Sequence, residues 1–168
     1  ELGMQPHLVQ RLEQVFQDPD LDFIIGSLHC SDHTEFFDGS FFRGRSRDEA
    51  HRSYFTAIHE NLCVFRNISV LGHLDFIRRY GKEQYGDSHR DIDYRLHMDV
   101  IDEILRLAID EGIGIEVNTS GYRKGSGQPH PDERILKRYH YLGGEIITLG
   151  SDAHKAEDMA GEFTKATA

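Results

Sequence analysis

Apolar and polar positions alternate along this chain in two distinct rhythms. Segments 22–29, 69–75, 112–119 and 145–154 are short apolar runs, rich in Ile and Val and broken by glycine. Runs of that length and composition, bounded by turn residues, predict buried strands. The last of them, Ile146, Ile147 and Leu149 between Gly143-Gly144 and Gly150, is the clearest. Between the runs the period changes to that of a helix. Ser46-Arg47-Asp48-Glu49 has capping-box spacing and leads into Tyr54, Ile58, Leu62 and Phe65. Asp93 precedes His97, Ile101, Ile104, Leu105 and Ala108, and Gly112 ends that segment. Pro131-Asp132 opens a third helix carrying Ile135, Leu136, Tyr139 and Leu142. Leu8, Leu12, Val15 and Phe16 mark another near the start, stopped at Asp18-Pro19.

Strands alternating with helices predict an α/β fold with a mostly parallel sheet. In such folds, and in barrels especially, functional groups gather at the carboxyl ends of the strands. That is where this sequence places its candidate chemistry. The first run ends in His29, the second in His73 and Asp75, the fourth in Asp152 and His154, and the third in polar residues, Asn118 and Thr119. Alternate side chains of an extended segment share a side, so Asp152 and His154 are expected to aim together, as are His73 and Asp75. A carboxylate beside an imidazole suits a hydrolytic metal ion. One such pair could equally cap a loop; its recurrence at several strand ends favours a shared site.

The remaining polar groups are less specific. Ser120–Pro131 is a Gly- and Pro-rich loop after the third run, and its Arg123 and Lys124 suit either phosphate capture or a surface connection. Arg43, Arg45, Arg47 and Arg52 read as a solvated helix start. His7, His51, His59, His97 and His140 fall in helical patterns and are expected in core or surface roles, whereas His33 and His130 lie on loops at the site end.

Composition narrows the field. The 168 residues, 38% of them hydrophobic, suffice for one domain with a core. A closed (β/α) barrel usually takes roughly 250 residues. With four strands, and a start at Glu1 rather than methionine, the expectation is an incomplete barrel whose upstream strands are missing. Nineteen Lys and Arg against 29 Asp and Glu give a formal net charge of −10. That balance argues against non-specific nucleic-acid or anionic-membrane binding. No apolar stretch has the length of a membrane span, and no leader peptide is visible. Cys30 and Cys63 lack any paired spacing, so both are expected reduced and mostly buried, with the cytoplasm as the default compartment.

Taken together, Glu1-Leu2-Gly3, Gly26-Ser27-Leu28-His29, the stretch from Gly72-His73-Leu74-Asp75 to Arg79-Tyr80, the stretch from Glu116 to Arg123, and Gly150-Ser151-Asp152-Ala153-His154 carry a resemblance that runs nearly end to end. They resemble the PHP (polymerase and histidinol phosphatase) superfamily, and within it the monofunctional histidinol-phosphate phosphatases. The resemblance implies a distorted (β/α)7 TIM-like barrel, one PHP-type domain over residues 1–168, and up to three divalent ions of zinc, manganese or iron. By resemblance Glu1 is the bridging carboxylate and His29 and His73 complete the ligands of one ion, while Asp152 reaches a second and His154 a third. Arg79, with Arg78 as its alternative, and Arg123 would grip the phosphate. The family's opening His-x-His has no counterpart in this sequence, which leaves the other two ions short of imidazoles and predicts that the chain alone is inactive or nearly so.

The implied reaction is metal-dependent hydrolysis of a phosphate monoester, L-histidinol phosphate to L-histidinol and phosphate in histidine biosynthesis. The implied partner is thus a small-molecule phosphate ester, with no nucleic acid or membrane. Rivals are another PHP-type phosphoesterase, a nuclease or proofreading domain, against which the acidic charge counts, and a metal-poor fragment that binds without turnover. Nothing in the sequence bears on oligomeric state.

Overall fold

A computed structural model describes residues 1–167. In chain order the elements are β1 (Leu2–Gly3), α1 (Val9–Phe16), β2 (Ile25–Ser27), the small hairpin β3 (Cys30–Ser31) and β4 (Thr34–Glu35), and α2 (Arg47–Val64). There follow β5 (Val70–Leu71), the one-turn α3 (Lys82–Tyr85), α4 (Met98–Asp110), β6 (Gly114–Asn118) and the short α5 (Ser120–Arg123). The chain continues through α6 (Glu133–Tyr141), β7 (Ile147–Gly150) and α7 (Phe163–Ala166).

The main sheet has the order β1-β2-β5-β6-β7, and every neighbouring pair is parallel. The order never reverses, so each crossover advances the sheet in one direction. That is the winding of a (β/α) barrel and not of a doubly wound sheet with a switch point. The barrel is not closed among the described residues: β1 pairs with β2 alone and β7 with β6 alone.

Local sequence explains the main helices. Ser46 Oγ accepts from the Glu49 backbone N–H while the Glu49 carboxylate accepts from the Ser46 N–H, the reciprocal pair the spacing predicted. Asp132 caps α6 by accepting from the Arg134 N–H. The core joins Tyr54, Phe55, Ile58 and Leu62 of α2 to Ile101, Ile104 and Leu105 of α4 and to Leu71 and Ile115 of the sheet. All five residues of β6 are buried, as expected of a strand with neighbours on both sides and helices over it.

Two expectations are corrected. The 145–149 run is not a buried strand: Ile146 and Ile147 are exposed, because β7 is the outer strand of the sheet among the described residues. Cys63 is exposed near the end of α2, while Cys30 is half-buried; neither forms a disulfide. The β3–β4 hairpin and the short turns at 76–79 and 86–90 have no periodicity long enough to read from sequence. No helix among the described residues is long and apolar enough to cross a membrane.

One glycine marks the closest approach near the strand ends. Gly150 pairs with Asn118, and a Cβ placed on it would run into the carboxylate of Glu116, itself buried. Gly150→Ala should therefore cost about 1–3 kcal/mol through overpacking. The readout is a lower urea midpoint at unchanged slope; an unaltered midpoint would show that Glu116 can yield.

Candidate metal centre

Three neighbouring parallel strands supply the densest group of ligand-type side chains. Glu1 immediately precedes β1, His29 lies two residues past β2 and His73 two residues past β5. Glu1 Oε1 stands 3.2 Å from His29 Nε2 and 2.9 Å from His73 Nε2, and the two nitrogens are 3.3 Å apart. Hydrogen bonds from His29 and then His73 hold the Glu1 carboxyl well below the usual carboxylate range, against the opposing effect of burial. It is therefore ionised at neutral pH.

The imidazoles are held from behind. Phe76 stacks on His73 with ring centroids 4.0 Å apart and presents its edge to His29 at 5.7 Å. His73 takes a positive φ of 21°, an uncommon conformation for a side-chain-bearing residue, and its backbone N–H donates to Glu116 Oε2 at 3.0 Å. Asn118 donates to the same carboxylate oxygen at 3.2 Å. A fixed buried acceptor thus sets the backbone that aims His73. Glu116 and Phe76 were not among the residues singled out from sequence. The signal for Glu116 was present: it is the one charged residue inside the apolar run 113–117, and a carboxylate is buried there only with a partner.

Beneath this group lies a second network. Asp75, fully enclosed, accepts from Tyr94 Oη at 2.7 Å, Arg78 Nη1 at 3.1 Å and the Asp132 backbone N–H at 2.8 Å, and its other oxygen meets His130 Nδ1 at 2.7 Å. Burial alone would raise its pKa, but the His130 and Arg78 contacts outweigh that and leave it below the ordinary carboxylate range. Asp75 therefore does not orient His73, and the alternation expected of that pair is lost because β5 ends at Leu71 and the chain turns at Gly72 and His73. His130, expected as a loop residue near substrate, is buried in this network, its backbone bridged to Asn118.

The other expected site residues are placed as follows. Asp152 adopts φ 50°, outside the extended geometry on which its expected pairing with His154 rested. The pair stays together, with His154 Nδ1 3.5 Å from Asp152 Oδ1, while Asp152 Oδ2 faces Arg79 Nη1 at 3.4 Å and the His154 side chain is 83% exposed. Neither joins the group formed by Glu1, His29 and His73. Arg79 lies over the Phe76 ring at 5.2 Å and lines a cleft of about 340 Å³ together with Phe36, Arg43, Tyr80 and Lys82. Arg123 donates to the Ser151 carbonyl and pairs with Asp158 at 3.4 Å, leaving Nη1 without a partner. Arg78 is turned away from any phosphate role: it is buried and ion-paired with Asp75, with Asp132 Oδ2 at 3.9 Å.

The donor set fits a divalent ion. Two atoms bound to one ion at about 2.1 Å lie about 3.0–3.4 Å apart, depending on coordination geometry. The separations of 3.2 and 3.3 Å fall within that range and the third, 2.9 Å, lies just below it. Two imidazole nitrogens and a carboxylate oxygen suit zinc, manganese or iron better than calcium.

Comparison with known proteins gives a consistent picture. The PHP domain family matches residues 1–120. A probable histidinol-phosphatase of Clostridium acetobutylicum is 28% identical over 166 residues, covering 99% of this chain and 63% of that protein. The histidinol-phosphatase of Lactococcus lactis subsp. lactis is 30% identical over 158 residues, covering 94% and 57%. The crystal structure of the histidinol phosphate phosphatase from that organism, complexed with zinc, L-histidinol and phosphate, superposes with a TM-score of 0.79 at 27% identity. That match covers 96% of this chain and 62% of the other. The chain thus spans about three fifths of the length of these relatives.

Proposed function

The chain belongs to the PHP domain family, and on that footing we propose that it forms the part of a metal-dependent phosphatase holding one ion and the phosphate end of a monoester, with L-histidinol phosphate as substrate. The observation that carries this reading is the convergence of Glu1, His29 and His73. The names of its relatives, and the ligands in the Lactococcus structure, support the choice of substrate.

In this reading Glu1, His29 and His73 hold the ion, and Asp152 would join a neighbouring ion by giving up its contact with Arg79. A divalent ion there supplies Lewis-acid charge, which acidifies water and neutralises the phosphoryl oxygens. This chain's residues do the rest. Ionised Glu1 and the two imidazoles would provide the lone pairs, Phe76 and Glu116 would keep the histidines aimed, and Arg79 at the edge of the cleft would offer a fork to the phosphoryl oxygens. Arg123 would become the second anion contact by giving up its pairing with Asp158. The formal net charge of −10 favours a small substrate over nucleic acid. The two free cysteines fit a reducing compartment such as the cytoplasm.

The test is phosphate release from L-histidinol phosphate by the protein carrying this chain, with and without a chelator. Activity that survives complete metal removal would end the proposal. Within it, Arg79→Ala should raise KM about 10- to 100-fold, the loss of one charge-assisted contact worth about 1.5–3 kcal/mol, with kcat changed less. An unchanged KM would remove Arg79 from the phosphate.

A further inference from the structure

A second group of ligand-type atoms lies away from the strand ends, between α2 and the start of α4. Asp48 and His51 stand three positions apart on α2 and so share a face. His97 is the residue from which α4 begins. One ligand atom from each of the three lies within 4.8 Å of the other two. His51 and His97 are only 1% and 2% exposed. Yet His51 Nδ1, both ring nitrogens of His97 and Asp48 Oδ1 have no hydrogen-bond partner.

Buried polar atoms are nearly always satisfied, so unpaired atoms on all three of these clustered residues indicate a missing partner. The surroundings are rigid. Phe55 packs on His97 with centroids 5.9 Å apart, and Arg52 of α2 is ion-paired with Asp99 of α4 at the rim. Burial, helped by the positive charges of His97 and Arg47, holds His51 down at about 4, so its ring is neutral at pH 7 and its lone pair free. Asp48, half in solvent, gives access from outside.

We propose that Asp48, His51 and His97 form a second divalent-metal site, structural and separate from the strand ends, which takes a zinc-type ion and pins α2 to α4. Two imidazoles and one carboxylate are a zinc donor set with a fourth position left for water. They are too few in oxygen to favour magnesium or calcium. Arg47, whose Nε lies 3.6 Å from Asp48 Oδ1, gives up that contact when the ion enters, while its Nη1 stays on the Ser88 carbonyl at 3.2 Å.

The experiment uses untagged 168-residue protein stripped with a chelator and titrated with Zn2+, and separately with Co2+ as a spectroscopic reporter. It is run in a His29→Ala background so that the strand-end group does not bind. One equivalent of zinc per chain, a raised thermal midpoint and cobalt d–d bands of a nitrogen–oxygen site are expected. Adding Asp48→Asn should lower zinc affinity about 10- to 100-fold and abolish the midpoint rise. His97→Gln should do the same. If His97→Gln fails to fold, Asp48→Asn decides alone, since its side chain is half-exposed and nearly isosteric. No bound zinc in the His29→Ala protein, or zinc binding indifferent to Asp48→Asn, overturns the proposal and leaves a trapped water as the partner of the two histidines.

Discussion

Asp75→Ala is expected to cost about 3–5 kcal/mol of folding stability, the usual penalty for removing one member of a buried ion pair. The carboxylate meets four donors from four separate places: the turn at Arg78, Tyr94, the loop at His130, and the backbone just before α6. Alanine would strand the buried Arg78 with only Asp132, 3.9 Å away, and leave the Tyr94 hydroxyl and His130 Nδ1 without acceptors. Tyr94→Phe, by contrast, removes a single hydrogen bond and should cost about 1 kcal/mol. Urea unfolding of the two variants checks both values. A midpoint for Asp75→Ala close to that of Tyr94→Phe would mean that the network rearranges around the gap.

The second large effect is expected at His73. His73→Ala removes one of two imidazoles facing Glu1 and empties the space over Phe76. Lewis-acid charge is worth several kcal/mol of transition-state stabilisation. At about 1.4 kcal/mol per decade, kcat/KM for histidinol phosphate should fall about 10³-fold or more. Metal content measured beside the kinetics should drop by the strand-end equivalent. Retained metal with lost activity would assign His73 to orientation alone, and retained activity would remove it from the site.

Much of the architecture was legible in sequence because the relevant signals are local. The Ser46-x-x-Glu49 box, the apolar stripe of α4, and the glycine-bounded runs each depend on residues close in the chain. His29 and His73 lie just past the ends of β2 and β5, where the rule that parallel strands gather their chemistry at one end puts them, whereas Glu1, which precedes β1, came from the family resemblance alone. What sequence did not reveal depends on distant contacts or on backbone departures from the regular period. Asp152 and His154 stay 3.5 Å apart as a pair but stand outside the group of Glu1, His29 and His73, and Asp152 is left-handed, which no alternation rule anticipates. Arg78 and Arg79 are neighbours with opposite fates, one drawn into Asp75 and the other left beside the cleft, and only the three-dimensional position of Asp75 separates them. His51 falls inside α2 as its pattern predicts, whereas His97 caps the start of α4, and their proximity is invisible to either periodicity.

The outer position of β7 links solubility to chemistry. Along its free side β7 presents unpaired backbone groups and the exposed Ile147, with Asp152 two residues beyond its end. Such an edge is a template for another strand. A strand docked there would cover the apolar surface and at the same time build a wall beside Asp152 and Arg79. A second copy paired there and a completing strand would therefore compete for the same hydrogen bonds. Whatever chain occupies that edge, a second copy or a completing strand, also decides what the substrate would meet on that side.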